Sequence, residues 1–308
     1  MKLGAEHLQR YEEDGYLVIE NWFPEATRVA ILDAMKQWVP PRPIPENAFV
    51  GDSFPYEIQL FNEVIMDPDL LEFIALALDS EDLHLRLAHN WVRFPGNDPL
   101  PIEKETEVLK YNGGTTKQRF GGFHIDNGNN SLVPPTHDRR LGQISTWYFP
   151  DAVDESQAPM LVVPKGHGND RSKAIALTVP AGTLMIFNTV LWHSSSMFQG
   201  TEGQRYTLTR IFGRADHPWE GVGSFTNVGS NMHWRQFISG LNARERQYFR
   251  FPPPGHELYT AETLEVLEEH YPGWNTLGEY SPVESPDSER FLTPRYSALP
   301  RPGPLPKL

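Results

Sequence analysis

The chain contains no cysteine among its 308 residues. Disulfides, thiolate metal sites and cysteine nucleophiles are therefore excluded. Any metal ion must be held by nitrogen and oxygen ligands. The absence of cysteine is compatible with a reducing compartment, and we expect a cytoplasmic protein.

Long apolar runs and an excess of basic residues are also missing. No stretch approaches the roughly 20 apolar residues of a membrane-spanning helix, and the start MKLGAEHLQRYEEDGY lacks the apolar segment of a signal peptide. The 27 basic residues are outnumbered by 40 acidic ones, which gives a formal charge of −13. This balance disfavours nucleic acid and anionic membranes as partners. We expect a soluble protein that binds a small-molecule substrate, and the sequence does not indicate an oligomeric state.

Helical and extended patterns alternate in the first 95 residues. Gly15 is suited to end a first helix, and Pro24 to begin a second one whose Ile31, Met35 and Trp38 recur at helical spacing. The predicted helices cover residues 5–14, about 24–38 and 68–78, and the predicted strands cover 16–19 and about 83–94.

Short β-rich runs follow between residues 123 and 213, each bounded by Gly, Pro, Asn or Asp. This spacing is typical of a sandwich or barrel, so we predict a mostly β fold with flanking helices. The runs are 143–149, 160–163, 174–179, 183–188 and 206–212.

The last third of the chain is mixed. Helices are predicted over 241–249 and 261–270, and an extended proline-rich tail follows residue 274. We predict one domain over residues 1–308. Its parts are an N-terminal region at 1–95, a β core at about 83–215 and a C-terminal extension at 216–308.

Two candidate metal ligands stand in Phe123-His124-Ile125-Asp126. Residues two apart on a strand point to one face, so His124 and Asp126 can reach the same ion. The third candidate is His193, at the end of the apolar run that begins at Leu184. Two histidines and one carboxylate leave three coordination positions open, which favours Fe(II) with a bidentate co-substrate and O2.

Arg205 lies twelve residues beyond His193, at the start of a predicted strand. Its planar guanidinium can bind a carboxylate through two hydrogen bonds, which a lysine cannot match. A surface arginine at the end of a hairpin is the simpler interpretation of the same residue. Arg210 is a competitor, but it fits the spacing less well.

Several further motifs accompany these residues in chain order. They are His124-Ile125-Asp126, residues 145–151 with Trp147, the loop 163–167, the turn 181–183, His193-Ser194-Ser195 and Arg205. Together they resemble the phytanoyl-CoA dioxygenase family of Fe(II)/2-oxoglutarate oxygenases. The resemblance implies a double-stranded β-helix core, which is the jelly-roll fold of cupins.

The resemblance also implies cofactors and roles. Fe(II) would be held by His124, Asp126 and His193, with 2-oxoglutarate and O2 as co-substrates. Arg205 and Ser195 would hold the far carboxylate of 2-oxoglutarate, and Trp147 would pack along it. The implied reaction hydroxylates, desaturates or cyclises a small metabolite and releases succinate and CO2. Halogenases of this kind replace the carboxylate ligand with a small residue, so Asp126 disfavours halogenation.

Substrate specificity is expected from segment 95–122 and from the loop 127–140, because loops of this length are often functional. The polar candidates are Asn127, Asn130, Arg139, Arg140 and Arg214. Two alternatives stay open. One is a metalloenzyme on the same fold that does not use 2-oxoglutarate, and the other is a catalytically silent binding protein.

Overall fold

Two β-sheets form the centre of the molecule in the computed structural model. The structure describes residues 2–39, 50–95, 105–126, 142–215, 232–249, 251–256 and 259–283. The helices in these ranges are α1 (Ala5–Asp14), α2 (Glu25–Trp38), α3 (Gln59–Glu63), α4 (Pro68–Leu78), α5 (Met232–Gly240), α6 (Ala243–Gln247) and α7 (Ala261–His270). The strands are β1 (Tyr16–Ile19), β2 (Val50–Ser53), β3 (Leu83–Arg93), β4 (Thr106–Lys110), β5 (Thr115–Gln118), β6 (Gln143–Phe149), β7 (Met160–Val162), β8 (Ile175–Ala176), β9 (Thr183–Asn188), β10 (His193–Ser195) and β11 (Arg205–Arg214).

The strand order identifies the fold. The larger sheet has the order β1-β9-β6-β11-β3-β2, and the smaller sheet has the order β10-β7-β8-β4-β5. From β6 onward the chain passes back and forth between them: β6, β9 and β11 lie in the larger sheet, and β7, β8 and β10 lie in the smaller one. This is the winding of a double-stranded β-helix, and it confirms the predicted mostly β fold with flanking helices.

Strand β9 of the larger sheet is buried on both faces. Along β9, Met185 and Phe187 point toward the smaller sheet and pack with Met160 and Val162 of β7. The intervening Leu184 and Ile186 point the other way, into a second core that includes side chains of α1, α2 and α4. Alternate side chains of a strand point to opposite faces. A strand covered on both faces therefore appears as a continuous apolar run rather than as an alternating one.

Gly15 joins α1 to β1 and fixes the position of β1 beside β9. Its φ of 79° is in the left-handed region, and its N–H donates to the Tyr11 carbonyl at 2.8 Å. Its own carbonyl accepts from the Asn188 N–H at 3.0 Å. A Cβ added here would lie 2.8 Å from Leu191 Cδ1. Both backbone conformation and close packing therefore require glycine.

We expect Gly15→Ala to destabilise the protein by about 1–3 kcal/mol, because it combines backbone strain with a clash. Equilibrium unfolding in urea measures the loss. Gly113→Ala is the matched control, because Gly113 also has a positive φ of 94° but nothing lies within 4 Å of an added Cβ. Equal losses in the two variants would contradict a contribution from packing against Leu191.

Most predicted elements are confirmed, and three predictions were wrong. The run 174–179 forms a strand only at Ile175–Ala176. The helix predicted over 241–249 spans only Ala243–Gln247, because Asn242 caps its start, and α3, α5 and β2 were not predicted. Segment 95–122, expected to be loop, contains the hairpin of β4 and β5. The proline-rich tail from residue 284 lies outside the described residues. No helix within the described ranges is long and apolar enough to cross a membrane.

Candidate metal centre

Backbone hydrogen bonds bring together two segments that are distant in sequence. Residues 120–126 run antiparallel to β10, with bridges between Phe120 and Ser196 and between His124 and His193. The N–H groups of His124 and His193 each donate to the other's carbonyl at 3.0 Å. The N–H of Asp126 donates to the Thr189 carbonyl at 2.9 Å. The sheet backbone therefore places all three predicted ligands side by side.

The three side chains converge on one point. Asp126 Oδ1 lies 3.6 Å from His124 Nε2 and 3.5 Å from His193 Nε2. One ligand atom from each residue falls within 4.8 Å of the others, so the cluster could hold a metal ion. The side chain of His193 is 4% exposed, that of Asp126 is 32% exposed and that of His124 is 50% exposed. The cluster is therefore buried on the His193 side and open on the His124 side.

The chain's own carbonyls orient both imidazoles. His124 Nδ1 lies 3.1 Å from the Gly122 carbonyl, and His193 Nδ1 lies 2.9 Å from the Leu191 carbonyl. A carbonyl oxygen can only accept, so each Nδ1 carries the proton and donates. In the neutral imidazoles the lone pair is then on Nε2, the atom that faces Asp126. This is the arrangement that metal-binding histidines commonly adopt.

Asp126 and His193 each stabilise the charged form of the other. Burial raises the pKa of Asp126, but the hydrogen bond and charge of His193, together with the charge of His124, bring it below its ordinary value. Burial lowers the pKa of His193, but the hydrogen bond and charge of Asp126 bring it above its ordinary value. Without a cation, a proton on His193 is therefore stabilised beside Asp126. A metal ion that binds at Nε2 displaces this proton.

Ser195 shares the face of β10 that carries His193. In the register with β7, His193 lies opposite Val162 and Ser195 lies opposite Met160. Met160 and Val162 belong to the core between the sheets. Ser194 points to the other side, where its hydroxyl donates to the Gly121 carbonyl. Ser195 therefore extends from the metal cluster along the space between the sheets.

Arg205 is a buried cation at the start of β11. Its guanidinium lies 6.0 Å from the ring centre of Trp147, and its Nη1 donates to the Ala158 carbonyl. Burial, and then the charge of Arg93, hold the pKa of Arg205 well below its ordinary value. Across the described part of the chain, no carboxylate lies within ion-pair distance of Arg205. An anionic ligand would therefore relieve the cost of burying this charge.

Arg210, the competing candidate, points away from this space. It lies an odd number of residues from Arg205 on the same strand, which places it on the opposite face. Its guanidinium donates to Asn90 Oδ1 at 3.2 Å and lies 5.5 Å from the ring centre of Tyr56, beside α3. Strand geometry thus separates the two arginines.

A row of side chains connects the metal cluster to Arg205. The ring of Phe187 lies 5.2 Å from that of His193 and 6.2 Å from that of Trp147, which in turn lies below Arg205. Several buried polar atoms on this face have no partner in the described protein. They are Ser145 Oγ, Trp147 Nε1, Thr207 Oγ1, Thr209 Oγ1 and Arg205 Nε. These atoms in the space between the sheets are therefore available to hydrogen-bond a polar ligand.

The polar face of β3 was not predicted from the sequence. His89, Trp91 and Arg93 lie opposite Thr209, Thr207 and Arg205 in the sheet register, so they face the same space. Burial, and then the charge of Arg210, lower the pKa of His89. The signal that could have revealed this face is the occurrence of three polar or aromatic residues at every second position of a predicted strand.

The predicted substrate residues are only partly described. Asn127, Asn130, Arg139 and Arg140 lie outside the described residues. Arg214 is at the end of β11, and its Nη1 donates to the Asp79 carbonyl at the end of α4, at 3.1 Å. Its part in substrate binding stays a prediction.

Comparisons with known proteins find similar backbones. One similar structure is that of HygX from Streptomyces hygroscopicus with iron bound, which is 15% identical in sequence. The alignment covers 70% of this chain and 88% of the HygX chain, with a TM-score of 0.49. The carbocyclase SnoK from nogalamycin biosynthesis, a non-haem α-ketoglutarate-dependent enzyme, is 14% identical. The alignment covers 71% of this chain and 88% of the SnoK chain, with a TM-score of 0.49. The epimerase SnoN from the same biosynthesis is 13% identical. The alignment covers 68% of this chain and 81% of the SnoN chain, with a TM-score of 0.47. HygX has also been solved with nickel and 2-oxoglutarate.

No family model and no curated protein matches the chain. The resemblance to the phytanoyl-CoA dioxygenase family therefore stays a prediction from the motifs. The geometry adds a three-residue cluster that could hold a metal ion and a buried arginine on the same inner surface.

Proposed function

We propose that the protein is an Fe(II)/2-oxoglutarate-dependent dioxygenase that hydroxylates, desaturates or cyclises a small organic metabolite. The observation that carries this proposal is the pairing of two features on one inner surface. A His–Asp–His cluster lies at one end, and at the other end the buried Arg205 has no acidic partner among the described residues.

The donor set fits a divalent iron. Ligand atoms about 2.1 Å from an ion lie about 3.0 Å apart at adjacent corners of an octahedron. The two contacts of Asp126 Oδ1 with histidine Nε2 atoms, at 3.5 and 3.6 Å, are slightly wider than this. A small inward movement of the side chains would complete one face of an octahedron. Three protein ligands would then leave three positions for a chelating oxo acid and O2.

The protein's own residues would bind and orient the co-substrate. When bound, iron with 2-oxoglutarate and O2 would supply the oxidising chemistry, with succinate and CO2 as the co-products. Arg205 would bind the far carboxylate, and the Ser195 hydroxyl would donate to the same group. Trp147 lies between the cluster and Arg205, where its ring would pack along the ligand and its Nε1 could donate to it. Arg205 is buried and Trp147 and Ser195 are half-buried, so little water reaches this end of the space and each interaction is strengthened.

The substrate would approach from the open side of the cluster. His124 is the most exposed of the three ligands, and Asp126 directly precedes segment 127–140, which was predicted from the sequence to be a loop. We propose that Asn127, Asn130, Arg139 and Arg140 contribute to substrate binding from this loop, with Arg214 as a further candidate. Because Asp126 occupies the carboxylate position, chloride has no vacant ligand position there, and hydroxylation-type outcomes are favoured.

Anaerobic titration with Fe(II) and then 2-oxoglutarate tests the proposal. We expect a weak visible charge-transfer band that needs both additions and saturates at one equivalent of each. Fe(II) binding without a band on addition of 2-oxoglutarate would instead support a metalloenzyme that does not use this co-substrate. Absence of Fe(II) binding would support a silent binding protein.

A further inference from the structure

A groove lies between α4 and α6, and none of its lining residues belongs to the metal cluster. Leu71 and Ala75 of α4 are four residues apart, as are Glu72 and Leu76, so they line the groove from one face of the helix. Tyr248, just after α6, lines it from the other side. The groove has a volume of about 730 Å³, typical of a ligand-binding pocket, and Leu76 is 44% exposed. The described residues therefore leave part of α4 uncovered in this α4–α6 groove.

The polar residues that line the α4–α6 groove are mostly acidic. The charged residues among them are Glu72, Asp79, Glu81, Glu245 and one base, Arg244. Arg244 is already engaged, because its Nη2 donates to the Glu81 carbonyl at 2.6 Å and lies 3.9 Å from the Glu81 carboxylate. An apolar surface with an acidic border fits a ligand that combines apolar side chains with positive charge.

Residues 290–308, here called the basic segment, have the complementary composition. They include Arg290, Arg295, Arg301 and Lys307 and no acidic residue, in a chain whose formal charge is −13. Their apolar side chains include Phe291, Tyr296 and Leu299, and five of the 19 residues are proline. Proline-rich segments lose little conformational entropy on binding, and they commonly bind in grooves that present aromatic side chains. Tyr248 is such a side chain in the α4–α6 groove.

The described chain leads to the edge of this groove. Glu279 Oε2 accepts from the Ala243 N–H at 2.8 Å, and the adjacent Asn242 lines the groove. The 11 residues from Glu279 to Arg290 span up to roughly 36–40 Å when extended. The 11 residues of α4 are only about 16 Å long as a helix. The basic segment can therefore reach the whole groove within one molecule.

We propose that the basic segment binds in the α4–α6 groove of the same molecule. Its arginines and lysine would pair with the acidic border, and its apolar side chains would cover Leu76. Attachment through the chain gives an effective concentration of about millimolar order, so individually weak contacts suffice. Such binding would connect the C-terminal extension to α4. The inference does not depend on the proposed function, because the groove and the metal cluster share no residue.

A single nitroxide label on the full chain tests the proposal. Ser297→Cys supplies the chain's only cysteine, so the label attaches there alone. Methyl NMR of leucine and methionine then reports which methyl groups lie near the label, because the unpaired electron broadens their signals. We expect strong broadening for Met66 and Leu76, which line the groove. Leu109 is the control, because it is 54% exposed on β4 and should broaden little.

Charge variants test how the basic segment is recognised. Asp79→Asn/Glu81→Gln removes two charges from the acidic border, and asparagine tolerates the left-handed backbone of residue 79, whose φ is 53°. Exposed ion pairs contribute modestly, so we expect the ratio of bound to free segment to fall by about 2- to 10-fold. Added salt should lower the wild-type ratio in the same direction. Asp33→Asn/Glu202→Gln, at exposed positions outside the groove, should keep the wild-type broadening.

Three results would overturn the inference. Equal broadening of Leu76 and Leu109 would show that the basic segment does not bind in the groove. Selective broadening that persists unchanged in Asp79→Asn/Glu81→Gln would contradict recognition by charge, and Glu72→Gln replaces that variant if it does not fold. Nitroxide-labelled chain mixed with separate isotope-labelled chain gives the third result. Selective broadening of Leu76 in this mixture would place the segment in the groove of a second copy.

Discussion

Replacing His193 with alanine is expected to lower the affinity for Fe(II) by more than about 100-fold. Loss of a group that only hydrogen-bonds to a metal ligand already costs about 10- to 100-fold, and loss of the ligand itself costs more. His193 is the most buried member of the cluster, and its Nε2 lies 3.5 Å from Asp126 Oδ1. Equilibrium dialysis under anaerobic conditions, followed by metal analysis, measures the change.

His167→Ala is the matched control for this experiment. His167 is an exposed histidine in a short 3-10 turn at Lys165–His167, and it does not belong to the His–Asp–His cluster. We expect this variant to bind Fe(II) as wild type does. The His193 ring also packs against Phe187, so a thermal melt should establish that His193→Ala is folded. A folded variant that keeps wild-type affinity would show that iron does not bind at this cluster.

Arg205→Ala is expected to weaken 2-oxoglutarate binding by about 100- to 1000-fold while Fe(II) binding is unchanged. Two charge-assisted hydrogen bonds to one carboxylate account for about 3–4 kcal/mol, which corresponds to this factor. The guanidinium lies beyond Trp147 and makes no contact with the three ligands in the described structure. Titration of the iron-loaded protein with 2-oxoglutarate gives the dissociation constant.

The variant Arg205→Lys distinguishes the effect of positive charge from that of the planar guanidinium. A lysine keeps the positive charge but cannot form the two parallel bonds of a guanidinium, so we expect an intermediate affinity. Variants of Arg205 that retain wild-type affinity for 2-oxoglutarate and normal turnover would instead support a metalloenzyme that does not use this co-substrate.

The positions of His124, Asp126 and Arg205 could be predicted because they depend on local regularities. His124 and Asp126 share a face because they are two residues apart in an extended segment. Arg205 and Arg210 point to opposite faces because they are an odd number of residues apart on one strand. The alternation of His89, Trp91 and Arg93 could have marked one polar face of β3 in the same way. That this face lies beside Arg205 depends on the pairing of distant strands, which no local pattern encodes.

Two elements differ from prediction for separate physical reasons. The hairpin of β4 and β5 is polar and partly exposed, so it lacks the apolar alternation by which strands are recognised. Its turn does contain Asn112-Gly113, a common hairpin signal. The helix predicted from residue 241 begins two residues later, because the Asn242 side chain accepts from the Glu245 N–H and caps α6.

The carbonyl partners of the two histidines hold each imidazole through the main chain as well as through side-chain contacts. Gly122 and Leu191 each lie two residues before the histidine that they orient, and they act through the main chain. Many metal centres use an acidic side chain for this purpose, and a mutation there weakens the metal site. Here the side chains around the cluster can be exchanged without removing either hydrogen bond. An engineer could therefore redesign the pocket for new substrates while leaving the imidazoles aligned.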